Sequence, residues 1–171
     1  MASIYATTKS GAGYTWQLRL DYTTTQNEES NSSTIACDLW VKPGSSGGYN
    51  LNSNSAYYVI CGEKKYKTYD FDSTAWVKLG SRTFTVEHEE DGTKSYTLSA
   101  SWVSNLSSAS NYTPASISLS ETVELPQINR GTVWVKKDGT WHRAVPWVNV
   151  NGTWNRAVPF VKKDGTWHRA V

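Results

Sequence analysis

Residues 14–22 read YTWQLRLDY, and their alternation decides the fold class. Trp16, Leu18, Leu20 and Tyr22 alternate with Gln17, Arg19 and Asp21, the period-two signature of a β-strand with one buried face. The pattern returns in TIACDLWV, residues 34–41, where Ile35, Cys37, Leu39 and Val41 share a face. Further β-prone runs stand at 57–61, 66–71, 76–79, 82–88, 95–103 and 117–125, separated by clusters of Gly, Ser, Asn and Pro. No helical period competes with them. Many short strands joined by turn-rich loops predict an all-β chain built on an antiparallel β-sandwich of jelly-roll type.

One connection can be read to its register. In FTVEHEEDGTKSYTLSA, residues 84–100, a two-residue Asp91-Gly92 turn sets Val86 opposite Thr97 and Phe84 opposite Ser99, which mixes faces. A three-residue loop Glu90-Asp91-Gly92 predicts a hairpin with Val86 opposite Tyr96, Phe84 opposite Leu98 and Arg82 opposite Ala100, and with Gly92 in the left-handed region. His88 then stands near the hairpin end, and Glu87-His88-Glu89-Glu90 reads as an acidic tip and not as a metal site.

Composition divides the chain. The 171 residues leave room for one ordinary domain and a small appendage. Residues 130–171 carry eight Lys/Arg against two Asp/Glu, net +6, so with a total of +2 residues 1–129 carry net −4. The same segment holds five of the nine Trp. The boundary is expected at LPQINRG, giving a sandwich domain over 1–130 and a repeat segment over 131–171. KKDGTWHRAV occurs at 136–145 and again at 162–171, with a variant between them, and the aligned glycines Gly139, Gly152 and Gly165 fix a 13-residue period. The middle copy lacks the histidine, so His142 and His168 read as strand-surface residues. Each copy is a hairpin: a β-prone arm, an Asp-Gly or Asn-Gly turn, and an arm Thr-Trp-x-Arg-Ala-Val. A three-residue loop segregates Val148, Trp154, Arg156 and Val158 from Asn149, Thr153 and Asn155, whereas the Asn-Gly signal favours a two-residue turn. Three such hairpins gain mutual burial by stacking, either as a prism within one chain or as intertwined strands of a trimeric fibre tip.

No stretch is apolar enough to cross a bilayer, and the first residues lack a signal peptide's basic and apolar regions. Synthesis in a cytoplasm is expected. Cys37 and Cys61 show no metal-binding spacing and read as buried thiols. Phosphate-loop and zinc-protease motifs are missing from the string, and Asp70/Asp72, a lone DxD on a polar strand face, reads as solvated. A non-enzymatic protein without cofactor or metal is expected.

NSSTIACDLWV (31–41), YYVICGEKKY (57–66), FTVEHEEDGTKSYTLSASW (84–102) and ISLSETVELPQINR (117–130), in that order, resemble a family of siphophage tail-associated minor structural proteins of unknown activity. The landmarks are the Asn-Ser-Ser opening of a strand, the DGTKS turn, and the closing Leu-Pro-x-Ile-x-Arg. The resemblance implies a virion component at the tail tip or fibre, assembled in the host cytoplasm with other tail subunits. Two rival classes are a bacterial cell-wall carbohydrate-binding module and a sugar-active enzyme.

Candidate binding residues follow from aromatic rings on the outward parity of their strands. Trp40 lies between Leu39 and Val41 and beside Asp38; Trp76 and Tyr58 are placed similarly. An outward ring next to a carboxylate suits either a sugar or a second subunit. In the repeats Trp141, Trp154 and Trp167 are each followed two residues later by Arg143, Arg156 and Arg169, presenting ring and forked cation together. The basic balance disfavours a choline-like cation and favours an anionic cell-wall polysaccharide or teichoic acid, or packing in a homo-oligomer, a trimer first. The even spacing of the basic residues speaks against nucleic acid.

Overall fold

The computed structural model describes residues 1–44, 49–50, 56–67, 70–71, 73–105, 111–128 and 133–169. Among these every regular element is a strand: β1 (Ala2–Lys9), β2 (Thr15–Asn27), β3 (Ser32–Lys42), β4 (Tyr49–Asn50), β5 (Tyr57–Ile60), β6 (Glu63–Tyr66), β7 (Asp70–Phe71), β8 (Val77–Glu87), β9 (Ser95–Val103), β10 (Ser116–Glu124), β11 (Val133–Lys137), β12 (Thr140–Ala144), β13 (Trp147–Val150), β14 (Thr153–Arg156), β15 (Phe160–Lys163) and β16 (Thr166–Arg169). Contacts group the chain into two units, one of Met1–Thr25, Ser33–Val86 and Ser95–Leu125, the other of Gln26–Ser32, Glu87–Lys94 and Pro126–Val171.

The first unit is the sandwich. One sheet has the order β1-β2-β3-β8, the other β10-β9-β5-β6. Strands β1, β2 and β3 meander as neighbours in one sheet, so the architecture is a two-sheet antiparallel sandwich and jelly-roll connectivity is not confirmed. Trp16, Leu18 and Leu20 of β2 and Ile35, Cys37, Leu39 and Val41 of β3 are buried, as the alternation predicts. From the facing sheet come Tyr58, Ile60, Leu98, Ala100, Trp102, Ile117, Leu119 and Val123. The two buried indoles, Trp16 and Trp102, stack with centroids 5.4 Å apart and planes 4° from parallel. Trp16 Nε1 donates to Tyr112 O at 2.8 Å, which satisfies a polar atom that burial would otherwise leave costly.

Runs 76–79 and 82–88 fall, but for Trp76 and His88 at their outer ends, in a single strand, β8, whose burial changes phase at Gly80. Before it Val77 and Leu79 turn inward; after it Arg82, Phe84 and Val86 do. A glycine is required there because a Cβ would lie 2.1 Å from the Tyr58 hydroxyl of the facing sheet.

The expected hairpin between Arg82 and Ala100 does not form. β8 lies beside β3 in one sheet, while β9 pairs with β10 and β5 in the other, with Tyr96 opposite Val123 and Leu98 opposite Glu121. The DGT loop passes from sheet to sheet. Gly92 does take positive φ, +81°, though as part of a backbone knot and not of a ladder bulge.

That knot belongs to the second unit. The Asn31 side-chain amide donates to His88 O at 3.1 Å and Glu89 O at 2.9 Å, and His88 N returns a bond to Asn31 O at 2.8 Å. His88 Nδ1 lies 2.8 Å from Gly92 O, and since a carbonyl only accepts, the ring proton sits on Nδ1. Ile128 N donates to the same Gly92 oxygen at 2.9 Å, and Gln127 Nε2 to Asp91 O at 3.1 Å. Three landmarks far apart in sequence, around Asn31, DGT and Pro126-Gln127-Ile128, therefore meet in space.

The rest of this unit is three hairpins, β11-β12, β13-β14 and β15-β16, each a separate two-stranded sheet. Lys137 pairs with Thr140, Val150 with Thr153 and Lys163 with Thr166, so every turn has two residues and the three-residue register is overturned. The cause is backbone chemistry. Both turn residues are left-handed in each copy (Asp138 +51° and Gly139 +80°, Asn151 +52° and Gly152 +85°, Asp164 +49° and Gly165 +79°), as a type I′ turn demands and as its match to strand twist rewards.

Candidate functional site

Two surfaces carry the candidate residues. The first is the outer face of the β1-β2-β3-β8 sheet. Arg19 stands between Leu18 and Leu20, so parity turns it outward. Its guanidinium lies 5.1 Å from the Trp40 ring centre and 4.7 Å from that of Trp76. Tyr5 meets Trp76 edge to face at 6.4 Å, and Lys78 Nζ lies 5.7 Å from Trp40. The row thus contains three rings and two cations drawn from β1, β2, β3, the start of β8 and Trp76 just before it.

Carboxylates hold the cations in place. Arg19 Nε pairs with the buried Asp21 at 3.1 Å, and Ser3 Oγ donates to the same Asp21 oxygen at 2.7 Å. Asp38 accepts from Lys78 at 2.8 Å and from Ser81 at 2.7 Å. Burial pushes the Asp38 carboxyl upward, but the hydrogen bonds from Lys78 and Ser81 and the Lys78 charge outweigh it and hold it below the usual range. An ionised carboxylate has about four acceptor positions, so roughly two remain for a polyol. The hollow beside the row, lined by Met1, Asp21, Tyr22, Thr23, Ala36 and Asp38, measures only about 80 Å³, so a ligand here must lie on the face.

Trp40, Asp38 and Trp76 are therefore brought together. Tyr58 is not. It is 6% exposed and points into the core, because β5 pairs with β9 with Tyr58 opposite Trp102 and Ile60 opposite Ala100, which sends the even-numbered residues inward. Asp72 lies outside the described residues. Sequence reasoning missed Arg19, Tyr5 and Lys78; Arg19 was detectable as the outward residue of QLRLD.

The second surface is repeated on the hairpins. Two-residue turns set Trp134 opposite Arg143 and Lys136 opposite Trp141. They set Trp147 opposite Arg156 and Asn149 opposite Trp154. In the third copy Phe160 is opposite Arg169 and Lys162 opposite Trp167. Residues two apart on a strand share a face, so each copy shows a checkerboard of two aromatic residues, an Arg and a Lys or Asn. Lys162 Nζ lies 6.0 Å from the Trp167 ring centre. Strand parity puts Trp154 and Arg156 on one face. The first-arm ring, Trp134, Trp147 or Phe160, was missed, although its recurrence every 13 residues signals it. A hollow of about 370 Å³ in the same unit is lined by Glu28, Glu29, Val158 and Phe160.

The family described as siphovirus protein of unknown function (DUF859) matches residues 1–157, from β1 through β14. No curated protein and no solved structure matches the chain.

Proposed function

The chain belongs to this family of siphovirus proteins, and from that premise we propose that it is a non-catalytic structural protein of the virion tail, assembling as a homotrimer through its C-terminal hairpins. The observation that carries the reading is the exposure of the hairpin rings. Trp134, Trp141, Trp147, Trp154, Phe160 and Trp167 are 49% to 65% exposed, and none of the three hairpins hydrogen-bonds to another as a sheet. Rings this open are available for further copies of the chain to cover. A lone two-stranded hairpin is marginal in water, and covering the open half of each ring contributes on the order of 1 kcal/mol. Further copies of the chain carry the same checkerboards, in which each ring finds a ring or a cation, and a three-fold axis gives every copy an equivalent neighbour.

Light scattering on the full chain tests this. The wild type is expected at a three-chain mass, and the Trp141→Ser/Trp154→Ser/Trp167→Ser variant at a single-chain mass with its sandwich circular dichroism retained. A wild type that stays single-chain at high concentration overturns the trimer.

A second role, adhesion to an anionic cell-wall glycan such as teichoic acid, is favoured by the cations sharing each aromatic face and by the Arg19 row. Binding to purified host walls is expected to fall steeply with salt and to vanish in a folded Arg143→Gln/Arg156→Gln/Arg169→Gln variant. Attachment that survives this variant removes the hairpins from recognition and leaves Trp40, Trp76 and Asp38 as the site to test.

A further inference from the structure

Asn151-Gly152 is the only Asn-Gly step in the sequence, and it forms the turn of the middle hairpin. Such a step is the one most open to self-deamidation, because glycine has no side chain to hinder its own backbone nitrogen from reaching the asparagine Cγ. The surroundings leave that approach clear: both residues are exposed, and a Cβ at Gly152 would meet nothing within 4 Å. Val150 pairs with Thr153, so the Gly152 N–H falls outside the strand ladder. Its acceptor is a side chain, Asn149 Oδ1, at 2.9 Å.

The three repeats supply an internal comparison. One repeat to either side, the place of Asn149 is taken by Lys136 and Lys162, and that of Asn151 by Asp138 and Asp164. A lysine ammonium has no acceptor to offer. The acceptor therefore accompanies the one turn that has an amide to lose, and is replaced where the turn already carries a carboxylate.

We propose that Asn151 is a deamidation site guarded by Asn149, which holds the Gly152 amide proton and slows the loss of the Asn151 amide. The co-reactant is water. Gly152 N gives up its proton and bonds to Asn151 Cγ, the Cγ–Nδ2 bond breaks, and ammonia leaves with that proton. Water then opens the five-membered imide, so one water is consumed and one ammonia released with no change of oxidation state. Attack needs a nitrogen stripped of its proton, and a proton donated to Asn149 is harder to remove. Opening at Cγ leaves an aspartate-glycine turn like those of the first and third copies. Opening at the main-chain carbonyl inserts the side-chain methylene into the backbone, and a turn so lengthened no longer fixes Trp147 opposite Arg156.

The full chain is aged at mildly alkaline pH and digested with trypsin, and the peptide 144–156 is followed by mass spectrometry for the exchange of an amino group for a hydroxyl. Asn149→Ala is expected to lose the Asn151 amide about fivefold faster than the wild type, the factor that one net hydrogen bond supplies. Asn149→Asp, whose carboxylate accepts the same proton, should react no faster than the wild type. Asn155→Ala controls for a merely loosened hairpin: it removes the Asn155 Nδ2 bond to Thr153 O, 3.1 Å, and should keep the wild-type rate. An Asn149→Ala rate equal to the wild type overturns the guard, as does an Asn155→Ala rate raised as far. Conversion of Asn155 ahead of Asn151 in Asn149→Ala overturns the site itself.

Discussion

Gly92→Ala should be one of the most damaging small substitutions in the protein. Two separable costs act on it. Its φ of +81° disfavours any side chain, at about 1 kcal/mol. A Cβ would also stand 2.0 Å from the backbone oxygen of Ile128, and backbone cannot swing aside as a side-chain end can. Relieving the overlap pulls apart the Ile128 N to Gly92 O bond of 2.9 Å and disturbs the His88 ring bond to the same oxygen, each worth about 1 kcal/mol. The sum is roughly 2–3 kcal/mol. Gly13→Ala is the control, with φ +84° but nothing within 4 Å of its Cβ, so only the first cost of about 1 kcal/mol applies. Urea unfolding followed by tryptophan fluorescence separates them: with a slope of about 2 kcal/mol/M, the midpoint falls by about 1–1.5 M for Gly92→Ala and about 0.5 M for Gly13→Ala. Hydrogen exchange at the Ile128 amide should accelerate in the first variant alone. Equal midpoints for the two variants would refute the close backbone approach, leaving conformational preference as the only effect.

Arg19→Ala should cost about 2–4 kcal/mol, far above an ordinary surface change of about 0.5, because it strips the buried Asp21 carboxylate of its guanidinium and the Trp40 and Trp76 rings of the cation beside them. An Arg19→Ala/Asp21→Asn double variant should recover part of the loss, and a denaturation midpoint near wild type for Arg19→Ala refutes the row as a built network. Asp38 sets a pH signature: its folded pKa is depressed, so its contribution is complete above the unfolded value of about 3.9 and disappears as pH falls through the lower folded value. The stability gap between wild type and Asp38→Asn should accordingly be constant from neutral pH down to about pH 5 and close on further acidification; a gap that persists unchanged at the acid end refutes the Lys78 and Ser81 assignment.

Strand parity was legible wherever one face is apolar and the other polar. Residues 16–20 and 35–41 could bury only one set, since a one-residue slip would send Arg19 or Asp38 into the core. Parity failed at Tyr57-Tyr58-Val59-Ile60-Cys61, which is apolar on both faces, so only the pairing with β9 chooses the even set. It also failed to identify partners. A strand facing another across a sandwich alternates as a hydrogen-bonded neighbour does, and Phe84 and Tyr96 do meet, with ring centres 5.4 Å apart, though from strands of different sheets. The phase change at Gly80 has no local signature either, because the glycine answers the Tyr58 hydroxyl of the other sheet.

The hairpin register failed for a more informative reason. Preferring the three-residue loop assumed that each hairpin hides one face, so a pairing that segregates polar from apolar residues had to be right. Turn chemistry chose otherwise, and in the resulting register Trp147 and Trp154 share their face with Asn149 and Arg156. A face that mixes indoles with cations and amides has no place in a dry core, where an unpaired guanidinium is costly, and it leaves too much ring in water to be only a solvated surface. What suits it is a partner with both characters. Another copy of the same checkerboard has them, with rings to cover rings and π faces to meet cations, and so does a polymer that alternates C–H faces with anionic groups. Local turn preference therefore overrode amphipathic segregation, in a segment whose described side chains over 133–169 include none that is buried.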